Sequence, residues 1–200
     1  MATVDSDPLL QPFASSVRLF TAADLELLPT DLPSGPIDFE LDNGRLVLIM
    51  VPPGNIYGAA QSNIATHLKV QGEFKGHGKA RTEVGVVLWR DPDRVVAPDV
   101  LFIAAKSLPL RTSPEGYLET IPELVVEVRS RDDSLRYIER KVEHYLKAGV
   151  EVVWIADPAR KTVAVHTSHG EPASFDEMGT LTLPGLIPGF SLPVAEVFRE

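Results

Sequence analysis

The chain has no cysteine among its 200 residues. Disulfides, thiolate metal sites and cysteine nucleophiles are therefore excluded, and the absence is compatible with an intracellular bacterial-type enzyme. Long hydrophobic runs are missing too. The longest uninterrupted apolar stretch, Leu46 to Val51, is far too short for a bilayer core of roughly 30 Å. The amino terminus carries Asp5 and Asp7 in place of a basic leader, so neither a membrane span nor a secretory signal is expected, and the expected location is cytoplasmic. No Gly-x-Ser-x-Gly elbow occurs, which leaves a serine-hydrolase triad without support. Positive charge is also in deficit: 19 Lys and Arg against 28 Asp and Glu give a formal net charge of -9. That balance counts against tight nonspecific binding to a phosphate backbone. It does not exclude a site where carboxylates gather round a divalent cation, or a local basic strip on an acidic remainder.

With 44% hydrophobic residues, the chain is long enough to bury one substantial core. Residues 1–20 hold two prolines and no clean periodicity, which predicts a flexible arm followed by a single domain over 21–200. Thr21 is placed to cap a short helix through Leu28. Ile37 to Leu41 and Arg45 to Val51, joined by Asp42-Asn43-Gly44, read as a hairpin, because Asn-Gly supplies the positive φ angles of a tight reversal. Ile56, Ala60, Ile64 and Leu68 recur at helical spacing within a long helix from Asn55 to about Lys75. Alternation from Ala80 to Leu88 predicts one strand, and further strands flank Pro98-Asp99. Residues 104–122 read as a loop. Leu124 to Val128 is a buried strand, about 132–148 an amphipathic helix ending at Gly149, and Glu151 to Ala156 a strand that should lie parallel to Leu124 to Val128 in a right-handed βαβ unit. Antiparallel strands near 161–167, 175 and 181 and a helical turn over 193–198 complete an α/β fold. Its expected architecture is a mixed, twisted sheet of roughly five to seven strands flanked by two long helices.

The residue that points to chemistry is Glu127. A carboxylate inside Leu-Val-Val-Glu-Val costs several kcal/mol unless a cation pairs with it. Strand parity puts Arg129 on the same side as Glu127, which makes it a candidate partner. Asp99 follows Pro98 at a strand start, and two carboxylates on neighbouring strand ends form a hard-oxygen site suited to magnesium or manganese. On the following helix, Lys141 lies at the margin of the apolar face, from which it can reach back over the sheet edge to orient water or stabilise phosphoryl charge. His166 and His169 have the spacing His-x-x-His but no third ligand nearby, and they read as surface histidines.

The segments FELDNGRLVLIMVPP, VVAPDVLFI, PELVVEVRSRDDSLRYIERKVEHYLKAGVEVVWIADP and LIPGFSLPVAEVF resemble successive blocks of a large bacterial family of putative restriction endonucleases, long catalogued as a domain of unknown function. That family is similar to the PD-(D/E)XK nuclease superfamily. The resemblance implies a restriction-endonuclease-like fold and magnesium- or manganese-dependent hydrolysis of DNA. It implies Asp99 and Glu127 as metal ligands with the backbone carbonyl of Val128, and Lys141 as a catalytic lysine displaced onto the helix. Glu40 matches the family's early acidic residue and is an auxiliary candidate, although on strand pattern alone it reads as half-exposed. Arg129 stands where the motif has lysine; it cannot serve as a base but can stabilise phosphate charge. Tyr57 stands near the start of the long helix, where the family frequently has histidine. Cutting both strands of a duplex would call for a homodimer. Two rivals remain at this level: a non-catalytic interaction domain on the same scaffold, and a hydrolase using paired carboxylates on another substrate, such as sugars.

Overall fold

Asn43 and Gly44 take φ angles of 52° and 74°, the left-handed pair that a two-residue reversal demands. In the computed structural model, which describes residues 18–33, 35–50, 54–130 and 133–200, this turn joins β2 (Gly35–Asp42) to β3 (Arg45–Met50), with Asp42 opposite Arg45. Residues 1–17 of the expected arm, Pro52 and Pro53, and the expected first residue of the third helix, Asp132, lie outside the described residues.

Ahead of the hairpin stand α1 (Ala22–Leu25) and β1 (Asp31–Leu32). The backbone N–H of Thr21 donates to Asp24 Oδ2 at 2.8 Å, so the acidic residue of the first turn closes the α1 cap. After it comes α2 (Asn55–Leu68), which buries Ala60, Ile64 and Leu68 and passes into a π-helical turn over Lys69–Glu73. The strand expected over Ala80 to Leu88 is instead two: β4 (Gly78–Thr82) and β5 (Val86–Trp89), which enter different sheets. Glu83 breaks the run with a φ of 52°. Gly85 lets the chain pass under Tyr117, since a Cβ there would stand 2.3 Å from a ring carbon. Alternation alone cannot reveal this break, because Ala80, Val84, Val86 and Leu88 keep one parity in the sequence on both sides of it.

β6 (Arg94–Val96), β7 (Val100–Ala104), the irregular stretch to Glu123 and β8 (Leu124–Val128) follow. α3 (Leu135–Ala148) starts at Ser134, whose hydroxyl accepts from the N–H of Tyr137, and ends on Gly149 with φ of 102°. The rest is β9 (Val152–Asp157), β10 (Thr162–Thr167), β11 (Ala173–Phe175), β12 (Thr180–Leu181), β13 (Leu192–Pro193) and α4 (Val194–Val197).

The expected mixed sheet is six-stranded, in the order β11-β10-β9-β8-β7-β4, with β8 and β9 parallel and the other pairs antiparallel. A second, antiparallel sheet of β1, β2, β3, β5 and β6 was not foreseen. Even-numbered residues of the central strands, among them Phe102, Val126 and Trp154, pack with α2 and the carboxyl-terminal segments. Odd-numbered ones, Leu101, Val125 and Ile155, pack with α3 and with Val86 and Val96 of the second sheet. Glu127 therefore faces the α3 layer, in the seam between the two sheets. No helix among the described residues is long and apolar enough to cross a membrane.

Candidate active site

Val100 pairs with Val126 across the antiparallel β7–β8 ladder. Continuing that register by one residue sets Asp99 opposite Glu127, and residues opposite each other in a ladder project from the same face. The two carboxylates thus meet at one end of the sheet because of strand pairing, although they lie far apart in sequence. Asp99 is 7% exposed and Glu127 6%. The N–H of Val128 donates to Asp99 Oδ2 at 2.6 Å, and the hydroxyl of Tyr57, from the first turn of α2, donates to Oδ1. The amide of Gln61, one helical turn on, donates both to the Asp99 carbonyl at 3.0 Å and to Glu83 Oε1 at 2.9 Å.

Lys141 reaches the site from α3, as its margin position predicts, and it is only 6% exposed. Its Nζ lies 2.8 Å from Glu127 Oε1 and 3.6 Å from Glu40 Oε1. Tyr145, one turn further along α3, donates its hydroxyl to the same Glu127 oxygen. Glu40 corrects its strand-pattern reading: it is 2% exposed, projecting from β2 into the seam. Arg94 guards its other side, with Nη2 4.0 Å from Glu40 Oε2.

Arg129 also departs from expectation. Its guanidinium donates to Asp157 Oδ2 at 2.8 Å and to the Asp133 carbonyl at 3.2 Å, so it straps the β8–α3 connection to the end of β9. Glu127 takes its cation from Lys141. Val128 contributes its N–H to the site, in contact with Asp99. Tyr145 and Gln61 were missed in the sequence: the tyrosine sits on the apolar stripe and reads as core, and no local pattern distinguishes Gln61 from any other helix polar residue. His166 is half-buried and His169 exposed.

Burial pushes the Glu127 carboxyl up to about 7; Lys141 opposes the rise, and Asp99 and Glu40 add to it. Asp99 moves upward for the same first reason, against the donors Tyr57 and Val128. The Lys141 ammonium is held well above its ordinary value, since its burial is outweighed by Glu127 and Glu40. Lys141 therefore stays an ammonium, while burial and mutual repulsion hold protons on the Glu127 and Asp99 carboxyls to higher pH than usual. Glu40 Oε2 has no hydrogen-bond donor among the described residues.

This donor set fits a hard divalent cation. Among the described residues no three Asp, Glu or His side chains are grouped to cage an ion on their own. One or two carboxylates, with the remaining positions left to water and substrate, is the arrangement usual for magnesium.

Residues 23–195 match the family model Uma2, described as putative restriction endonuclease. The chain belongs to this family. A crystal structure of a putative nuclease belonging to DUF820 from Anabaena variabilis superposes with a TM-score of 0.71, covering 90% of this chain and 97% of that one at 20% identity. Likeness at that identity shows a shared fold, and the fold of this Uma2 chain is the restriction-endonuclease-like mixed sheet flanked by helices that its sequence suggested. No curated protein matches it.

Proposed function

We propose that this Uma2-family chain is a divalent-cation-dependent nuclease that hydrolyses DNA phosphodiester bonds. Asp99 and Glu127 hold the ion, with the Val128 carbonyl as a further ligand, and Lys141 positions the attacking water. The observation that supports this best is the convergence, in one buried seam, of two carboxylates and a lysine drawn from three separate elements. Chance burial rarely assembles such a set, because each unpaired charge costs several kcal/mol.

A bound magnesium or manganese ion would supply Lewis-acid polarisation of the phosphoryl oxygen and a lowered pKa for bound water. The protein's own groups do the rest. Val128 N–H and Tyr57 fix the Asp99 carboxylate, while Tyr145 and Lys141 fix that of Glu127. Lys141 stays charged, so it acts as a donor that orients water or stabilises charge on the phosphoryl oxygens, not as a base. Glu40 and Arg94 set its position from behind. Arg129 supports the loop and has no direct role in the chemistry.

A non-catalytic interaction domain on the same scaffold is the rival, and one observation favours it: both Asp99 oxygens already accept internal donors. The separating experiment is incubation of plasmid, short duplexes and single strands with wild-type and Asp99→Ala protein in magnesium, manganese or chelator. Cleavage that needs the metal and is lost in the variant is expected. Metal-dependent cleavage absent from the wild type would sink the nuclease reading. Cutting both strands of a duplex requires two such centres, hence a homodimer.

A further inference from the structure

Beyond the carboxylates, a shallow groove of about 380 Å³ runs between the flank of α2 and the carboxyl end of β4. Gly58, Ser62, Thr66 and Lys69 line it from the helix, and Thr82 and Glu83 from the strand side. From Gly58 to Lys69 it extends about 16 Å along the helix axis. Its near end is joined to the candidate active site, because Gln61, on its floor, donates to both the Asp99 carbonyl and Glu83. Tyr57, adjacent to Gly58, donates to the Asp99 carboxylate itself.

The far end differs in charge from the rest of the molecule. Lys69 is exposed and makes no ion pair among the described residues. Lys79 and Arg81 of β4, 42% and 38% exposed, share the single carboxylate of Glu73 at 3.2 and 3.5 Å. That contact ties β4 to the π-helical turn just beyond Lys69. Lys69 is thus the cation of the groove's own lining, and the pair that shares Glu73, one helical turn after Lys69, stands past that end, on a chain with a net charge of -9.

We propose that this groove seats the sugar–phosphate backbone of one unpaired nucleic-acid strand and leads it to Asp99. Its phosphates meet Lys69 and the hydroxyls of Ser62 and Thr82. The inference rests on the nuclease reading above and names the strand state of its substrate. A duplex presents phosphates on two strands and calls for a broad basic face. Here positive charge borders one narrow track, which is the economy of a single-strand site. Hydroxyls and small side chains along the track allow a backbone to approach closely.

The test is fluorescence anisotropy of a labelled oligothymidylate and a labelled hairpin duplex, in chelator so that no cleavage intervenes. The proteins are wild type, Lys69→Glu, Thr66→Arg and the control Lys161→Glu. The single strand should bind wild type more tightly than the duplex. Lys69→Glu should weaken it on the order of tenfold and lower the salt slope by about 0.7. Thr66→Arg, which adds a cation within the groove, should tighten binding, and Lys161→Glu should leave it unchanged. Wild-type binding that is indifferent to both groove substitutions, or stronger for the duplex, overturns the groove while leaving the nuclease reading in place. No wild-type binding to either probe also overturns the groove, while the nuclease reading stands or falls on cleavage in magnesium or manganese.

Discussion

Lys141 Nζ stands 2.8 Å from Glu127 Oε1 with both side chains almost wholly buried. Neither charge is tolerable there alone. Lys141→Met should therefore destabilise the fold by about 3–5 kcal/mol, the cost of stranding a buried charge. The double variant Lys141→Met/Glu127→Gln should recover most of that loss. Urea unfolding of the two variants measures this, and equal stability of single and double variants would contradict the pairing.

Acidity offers a second test with a definite sign. The Glu127 carboxyl is pushed up to about 7 from 4.5, and Asp99 shifts in the same direction. Between those values the unfolded chain has released a proton that the folded chain retains, so folding stability falls as pH rises from about 4.5 to 7 and then levels off. Thermal unfolding of metal-free protein across this window should show the fall, and Glu127→Gln should flatten it. The lowered carboxyls of Asp24, Glu73 and Glu115 act at lower pH and in the opposite sense.

Arg129 supplies a contrast. Its guanidinium is committed to Asp157 and the Asp133 carbonyl, so Arg129→Ala should cost about 1.5–3 kcal/mol of stability. Cleavage by the folded fraction should fall less than tenfold, whereas Asp99→Asn should lose at least about a hundredfold. Specific activity corrected for folded protein makes the comparison. A catalytic arginine would reverse the order.

Gly85→Ala probes the break between β4 and β5. The added Cβ would stand 2.3 Å from the Tyr117 ring, and the overpacking should cost about 1–3 kcal/mol. Unchanged stability in urea would mean that the ring moves freely aside.

Most of this architecture was legible in the sequence because its signals are local. The Asn43-Gly44 turn, the α2 stripe, the apolar β8 strand and the Gly149 stop each depend on a few adjacent residues. Glu127 was legible for the same reason, as a charge in an apolar strand. Its partners were harder to find. Asp99 meets Glu127 through ladder register, Glu40 arrives from a second sheet that no periodicity announces, and Tyr145 hides within the apolar face of α3. Arg129 misled because strand parity says which side a residue leaves from, not where a long side chain ends. It leaves near the end of β8, where the chain turns into the connection and Asp157 lies closer than Glu127.

If Asp99 and Glu127 form the seat of a divalent ion, each carboxylate must contribute to its affinity. Manganese binding, followed by electron paramagnetic resonance in wild type, Asp99→Asn and Glu127→Gln, tests it most directly. One ion per chain in the wild type is predicted, with affinity rising as pH passes about 7 because the ion displaces the Glu127 proton. Either substitution should weaken binding severalfold or more. Manganese bound equally well by all three proteins would mean that the ion sits elsewhere.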